Sequence, residues 1–556
     1  ACLIDMEGKE KRQGSAYLDA STTSMTPNIN SNSTKSKIKR FHYTRNERGY
    51  IMKITYHAND GDDIEETAIG DNNNIFGKLF DLDSLGRVIK VSYINNENNL
   101  MTDKFGVGHI RYTYSKYSGT EATEFLGEDL QLTNNEEKYA KVNSKFDKYG
   151  NIIEESYYGL DNMPCYNNEN VHRLIISYDN SGNMSEIRLY DLNGSLSYCK
   201  DSYAILKSSY DSKGRCVEFA FYDINEKACY SKDNYSIARI KYNSTDCAIE
   251  QSVFDTNGLP CVEKYYGVHK ICRNYNEYNY LLEESLYDEF DELNVSPMYH
   301  FAKQTYEYND YHQLISIKNF NEFGVPCNHK NNYSEQCLTY DKRGNIENLS
   351  FCDAYGNPCY SDEGAACFVY KYDTYGNMIY IRWLDGKNQP VFSKYNYTGW
   401  RAKYNNRGLL TEQIYLNEKD SLCLSNQWYA IAKFKYDSQG NMIEESYYNA
   451  DSLPCYTKNG YYSIARFEYD NQNNNTKISF MDTAGNPIVA AGGYACVSYK
   501  YNKYRKIVEE AYFDTQNNPC LAEQAYHKRV FNYNDKGLLA SETFYSINND
   551  RCSVNG

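Results

Sequence analysis

The chain has 556 residues, 60 of them tyrosine, with aromatics at 15% and only 10 prolines and 3 tryptophans. A formal net charge of −15 argues against a phosphate-backbone partner, which requires clustered Lys and Arg, so nucleic acid is not expected. No apolar run approaches the roughly 18–20 residues that cross a bilayer, and no membrane span is expected.

Residues 1–38 differ in character from the rest of the chain. The stretch ASTTSMTPNINSNSTKSK is rich in Ser, Thr and Asn and reads as a linker. The preceding ACLIDMEGKEK reads as the tail of an upstream domain, and Cys2 by itself is no evidence for a nucleophile. A start at Ala1 and a stop at Gly556, inside a repeat unit, suggest part of a longer protein.

Residues 39–556 are a tandem array. Taking the turn Gly at Gly150, equivalent positions lie at Gly182, Gly214, Asp246, Asn279, His312, Gly344, Gly376, Gly408, Gly440, Asn473, Arg505 and Gly537. They precede it at Ser118, Gly86 and Gly49. The step is 32 or 33 residues, apart from one of 37 around GDDIEETAIGDNNN, giving sixteen units. Each unit reads as a strand, an Asp-x-x-Gly turn, a returning strand such as IIEESYY, and a second turn, D-x-x-G-x-P. A short Cys-Tyr strand and a Gly-Tyr corner complete it. Gly and Asn accept the positive φ that such turns need, Pro is expected to end the pairing at the second turn, and no helical period survives the turns. The predicted fold is therefore all-β: a spiralling or solenoid-like elongated sheet of about sixteen β-hairpin repeats.

Several columns run down the array. Four residues before the turn lie Tyr178, Tyr210, Tyr242, Tyr436 and their equivalents, with Phe146 among them; seven residues after it lie Tyr157, Phe221, Phe351, Trp383, Tyr447 and others. Stacked units turn such columns into aromatic ladders, and Tyr suits a place where its hydroxyl reaches water or a backbone partner. This structural reading is preferred to a ligand-binding one. Glu154, Glu186, Glu218, Glu250, Glu283, Glu412, Glu444 and Glu509 form a carboxylate column, read as a solvated face with Lys or Arg between the like charges rather than as a catalytic pair.

Nine of the 18 cysteines share one column, at Cys165, Cys229, Cys261, Cys327, Cys359, Cys423, Cys455, Cys520 and Cys552. Met101, Thr133, Ser197, Val391 and Ile488 take the same place, and the Met, Val and Ile among them lead to the expectation of reduced, buried thiols acting as modest apolar groups. Disulfides between neighbouring units are the alternative. Zinc-ligand spacing is missing, and His172 and His527 share a column after the Gly-Tyr corner that reads as an edge. The sequons at Asn183, Asn193, Asn234 and Asn348 matter only in a secretory pathway. Phosphate-loop, dinucleotide and nucleophile-elbow motifs are also missing. No catalytic, cofactor-binding or metal-binding residue is nominated, and no cofactor is expected.

The units YDNSGN, YDSKGR, YDKRGN, YDTYGN and YDSQGN resemble the YD repeats of bacterial RHS proteins and teneurins. That resemblance implies consecutive hairpins in one long sheet that spirals into a hollow shell, often around a toxic C-terminal domain. The longer period and added Pro-Cys turn of this chain leave a spiralling or rod-like array as the expectation. SYYNADSLPCYTKNGYYS is similar to the aromatic-rich β-solenoid repeats of clostridial toxins and cell-wall-binding proteins, which implies binding of sugars or choline. The leading functional expectation is a non-enzymatic scaffold that binds a protein partner or its own copies, including as filaments. A carbohydrate- or cell-wall-binding module is the alternative, and a shell or regulatory region attached to a toxin or enzyme domain is a further one. The expected location is secreted or cell-surface, with the cytoplasm as the alternative.

Overall fold

The computed structural model describes residues 3–4, 10–11, 40–57, 75–114, 119–503, 505–533 and 539–552. The chain divides into two units, residues 1–37 and 38–556. In the first, Leu3–Ile4 and Glu10–Lys11 pair as short antiparallel strands. The remaining residues of the linker, residues 58–74 of the 37-residue step, Ser118 and Gly537 lie outside the described residues.

Among the described residues the second unit is one antiparallel sheet of 32 strands, in sequence order, from Arg40–Arg45 to Leu539–Tyr545. Sixteen hairpins succeed one another, and the sheet is open, with no ladder between its first and last strands among the described residues.

Local chemistry explains each hairpin. In the repeat built on strands Arg173–Tyr178 and Met184–Tyr190, Asp179 opens the turn. Its Oδ1 accepts from the backbone N–H of Ser181 at 2.8 Å and of Asn183 at 2.9 Å. Gly182 closes the turn at φ +85°, the arrangement of a three-residue loop with a left-handed bulge residue. Among the described residues, every first-turn position read from the sequence has positive φ, from +59° at Arg505 to +90° at Gly440. Asp246, Asn279, His312, Asn473 and Arg505 adopt it without being Gly, held by the Asx hydrogen bonds of the residue three places earlier.

The second turn repeats this design, with Asp191 Oδ1 accepting from Asn193 and Ser195 and Gly194 at φ +80°. Pairing does not stop at the proline, contrary to the expectation from sequence. Pro164 forms a bridge with Tyr158, and the next N–H, that of Cys165, donates to Tyr157 O at 3.1 Å. The missing donor of proline points out of the ladder at a bridge position, so it costs no hydrogen bond there. A third turn of the same form, Cys199 to Tyr203 with Ser202 at φ +70°, makes the corner.

Pairing strength alternates along the sheet. Within a hairpin six residue pairs face each other, as in Arg173↔Tyr190 through Tyr178↔Met184. Between hairpins only three do, Glu186↔Lys207 through Arg188↔Ile205. A bulge interrupts the ladder between Ser177 and Tyr178 and recurs in each hairpin, bending and twisting the strand.

The accumulated twist brings the sheet back against itself. Asn96, Glu128, Asp129, Thr102 and Asp103 meet Ser438, Gln472, Lys503 and Arg505, which lie 342 to 403 residues further along, roughly eleven to twelve repeats. The spiralling sheet expected from the sequence is what the structure contains.

Candidate functional site

The columns read from the sequence become contacts that join each repeat to the next. Among the described residues, eleven tyrosines of the first column donate their hydroxyl to a backbone carbonyl of the preceding repeat. Tyr178 reaches Ile152 O at 2.7 Å, Tyr210 reaches Met184 O at 2.7 Å and Tyr436 reaches Leu410 O at 2.8 Å. The accepting residue is the one beside the bulge, where the regular ladder is broken, so the phenol supplies the partner that Phe cannot. Tyr436→Phe is expected to cost about 1 kcal/mol, read as a lower denaturant midpoint with an unchanged slope.

The cysteine column does a parallel job. The thiols of Cys229, Cys261, Cys327, Cys359, Cys423 and Cys455 donate to the carbonyls of Ser202, Asn234, His300, Asn332, Asn396 and Trp428 at 3.5–3.9 Å. Each acceptor is the left-handed residue of the preceding corner. The sequence predicts a buried column; these thiols are only half-buried. Successive members sit one or two repeats apart, at least about 9.5 Å for two strand widths, beyond the roughly 7 Å a disulfide spans, and they remain free thiols. Backbone bonds between neighbouring corners, such as Lys232 N to Asp201 O at 2.9 Å, make a third tie.

The second aromatic column is a ladder, but not of that column alone. Its rings alternate with the corner tyrosines, which read from sequence only as part of a turn. Trp383, Tyr397, Tyr415, Tyr429, Tyr447, Tyr462, Phe480, Tyr494, Tyr512, Tyr526 and Phe544 form an unbroken run with centroids 4.5–6.0 Å apart. Such pairs contribute about 0.5–1.5 kcal/mol each beyond the area they bury. The signal for it is the Tyr that follows most corner turns, from Tyr139 to Tyr526, a column in which Val107, Val171, Val268, Phe301 and Ala365 are the exceptions.

Burial raises the acids of this interior. Tyr139 and Tyr397 are pushed up to about 12, and the thiols of Cys229, Cys261, Cys359 and Cys423 to about 11, burial being the main cause in each. Their ordinary values are 10.0 and 9.0, so the folded state holds these protons more tightly than the unfolded chain. The stability they contribute is complete below pH 9 and is lost as pH rises through 11 to 12. Circular dichroism melts between about pH 8 and 12 should therefore show a falling midpoint that begins near pH 9.

The carboxylate column lies on the other face and is paired, as the like-charge argument required. Lys145, Lys241, Lys403, Lys435 and Lys500 reach Glu154, Glu250, Glu412, Glu444 and Glu509 at 2.7–2.9 Å across their hairpins. Arg239 and Arg466, from the next repeat, reach Glu218 and Glu444. Such exposed pairs are worth little individually.

Two features depart from the sequence reading. His172 and His527 are not at an edge: Nδ1 lies 3.1 Å from Tyr157 O and 2.7 Å from Tyr512 O, and His527 is buried. The corner folds over the sheet, so the residue after it points inward. One repeat also carries an ion pair inside. Arg273 Nε meets Glu284 Oε2 at 2.8 Å with side chains only 10% and 6% exposed, where other repeats pair Ile176 with Ile187 and Leu338 with Leu349. Among the described residues, no group of three or more His, Cys, Asp or Glu is placed to hold a metal ion, and no helix is long and apolar enough to cross a membrane.

No protein-family model matches the chain, and no curated protein does. Solved structures do match. The chain is similar to the crystal structure of TcdB2-TccC3 without its hypervariable C-terminal region, at 12% identity over 92% of this chain and 27% of that one, with a TM-score of 0.38. It is also similar to a Tc holotoxin pore of Photorhabdus luminescens, at 13% identity over 91% of this chain and 27% of that one, with a TM-score of 0.29. The chain thus spans 27% of the length of either of these chains.

Proposed function

We propose that the chain is a non-enzymatic structural and interaction scaffold, a coiled ribbon of hairpins that presents rows of turn tips to protein. The observation that carries this reading is where the chemistry-bearing side chains go. The tyrosine hydroxyls and column thiols are engaged with carbonyls of the neighbouring repeat, and the column glutamates are engaged with cross-strand cations. These groups hold repeats together, and they do so in the same way many times over. What varies between repeats is the tips.

Lysine-directed cross-linking of the protein in its native setting tests the reading. Cross-links from the tip lysines Lys148, Lys213 and Lys342 to one defined protein chain, at several repeats, are the expected result. Substrate turnover by the isolated chain, abolished by a change in a single repeat, would overturn it.

A further inference from the structure

The ribbon has two edges, one made of first turns and the other of second and third turns, and its own coils show how those edges meet. Lys503, at the first tip position of a first turn, pairs with Asp129 on a second turn at 2.9 Å. Gln472 Nε2 donates to Glu128 at 2.6 Å, and Asn96 Nδ2 donates to Ser438 O at 2.9 Å. Arg505 Nη1 donates to the carbonyls of Thr102 and Asp103 at 2.9 and 2.6 Å. A cationic first-turn edge therefore seats on an acidic second-turn edge.

The side chains engaged in this contact are polar, whereas several tips of the middle repeats, outside it, carry an exposed aromatic ring. On the second-turn edge Phe290, Phe323 and Tyr355 are 76%, 80% and 91% exposed. They occupy one tip position in three consecutive repeats, about 9.5 Å apart at two strand widths per repeat. On the first-turn edge Tyr311 is 84% exposed. Exposed aromatic rows of this kind mark interaction surfaces, and aromatic anchors dominate binding energy where they become buried. The edges again carry opposite charge, with the acid one tip position away from that of Asp129, the partner of Lys503 in the coil contact. Glu289 and Glu322 take the tip position of Glu128, and Lys342 takes that of Lys503.

We propose that a second copy of this chain docks here, the first-turn edge around Tyr311 and Lys342 of one copy seating on the row Phe290, Phe323 and Tyr355 of another. The contact continues between molecules the edge-to-edge seating that each chain makes within itself. It rests on the scaffold reading above and names the partner that reading leaves general. Because one copy offers both edges at different places, the association is head-to-tail and can propagate.

Sedimentation velocity on the full chain across micromolar concentrations is the test. The wild type should show concentration-dependent association that weakens as salt rises. The triple variant Phe290→Ser, Phe323→Ser, Tyr355→Ser should weaken it about tenfold or more while keeping the wild-type circular dichroism spectrum. Lys342→Glu should weaken it as well, and adding Glu289→Lys and Glu322→Lys to that variant should restore it, a rescue that misfolding cannot mimic. A chain that stays monomeric throughout, or one whose association ignores these substitutions, overturns the proposal. So does a monomer that binds β-glycan oligosaccharides through the same row and loses them in the triple variant. If tip cross-links lead to a different protein, self-docking fails and the scaffold stands. If the chain is monomeric and its tips cross-link to nothing, both fail.

Discussion

Replacing Arg273 with Leu should destabilise the protein by about 3–5 kcal/mol, because it strands the Glu284 carboxylate inside the sheet without its partner. The two face each other across one hairpin and are both shielded from water, so neither charge can be satisfied by solvent once the other is gone. Glu284→Leu should cost a comparable amount for the mirror-image reason. The double variant Arg273→Leu, Glu284→Leu reproduces the Leu338–Leu349 pair found at the same place in another repeat, and it should return close to wild-type stability. A double-mutant cycle by guanidinium unfolding measures the coupling. A double variant as unstable as either single change would mean that this repeat is shaped around the ion pair and cannot accept an apolar one.

Trp383→Ala is the second large effect expected, again about 3–5 kcal/mol. Trp383 is buried and touches Phe368 at 5.7 Å and Tyr397 at 5.4 Å between centroids, so its removal both opens a cavity and cuts the ring ladder. Phe occupies the same column at Phe221, Phe351, Phe480 and Phe544, and Trp383→Phe should cost far less. Because a repeat contacts mainly its neighbours, the damage should be local. Hydrogen exchange should accelerate in strands Cys367–Tyr372 and Gly399–Tyr404 much more than in distant hairpins. Uniform acceleration along the whole sheet would show instead that the array unfolds as a single cooperative block.

The fold is legible in the sequence where local chemistry decides it. The spacing of Asp-x-x-Gly locates the left-handed residue of every described first turn, even where Asp246, His312 or Arg505 stands in for glycine, because the turn is closed by side-chain and backbone groups within five residues. The preference for Tyr over Phe before the turn likewise points to a hydroxyl partner, and the partner is a carbonyl. Features that depend on how one segment lies over another are not legible. Nothing local to His527 shows that the corner folds inward, and nothing in the cysteine spacing shows that one side of the column is open to solvent. The Arg273–Glu284 pair stays hidden because a single charged residue in a strand reads as solvent-facing until its facing partner is known. The contact of Arg505 with Thr102 and Asp103 depends on twist summed over many hairpins, a quantity no short window contains.

The ties between repeats run at nearly constant intervals along the chain: 26 residues for the hydroxyls of Tyr210 and Tyr436, 27 for the thiols and 31 for the corner amides. All three are shorter than the period of 32 or 33, so none of these ties reaches past the adjacent unit. Excising or duplicating one whole period therefore rejoins an intact donor to an intact acceptor on both sides of the junction. A gene for such a protein can lengthen or shorten by whole repeats and still encode a chain whose ties between adjacent repeats are closed. Array length is thus a heritable dimension that selection can adjust in steps of one hairpin, each step between the coils also moving by one repeat the tips they bring together, such as Lys503 and Asp129.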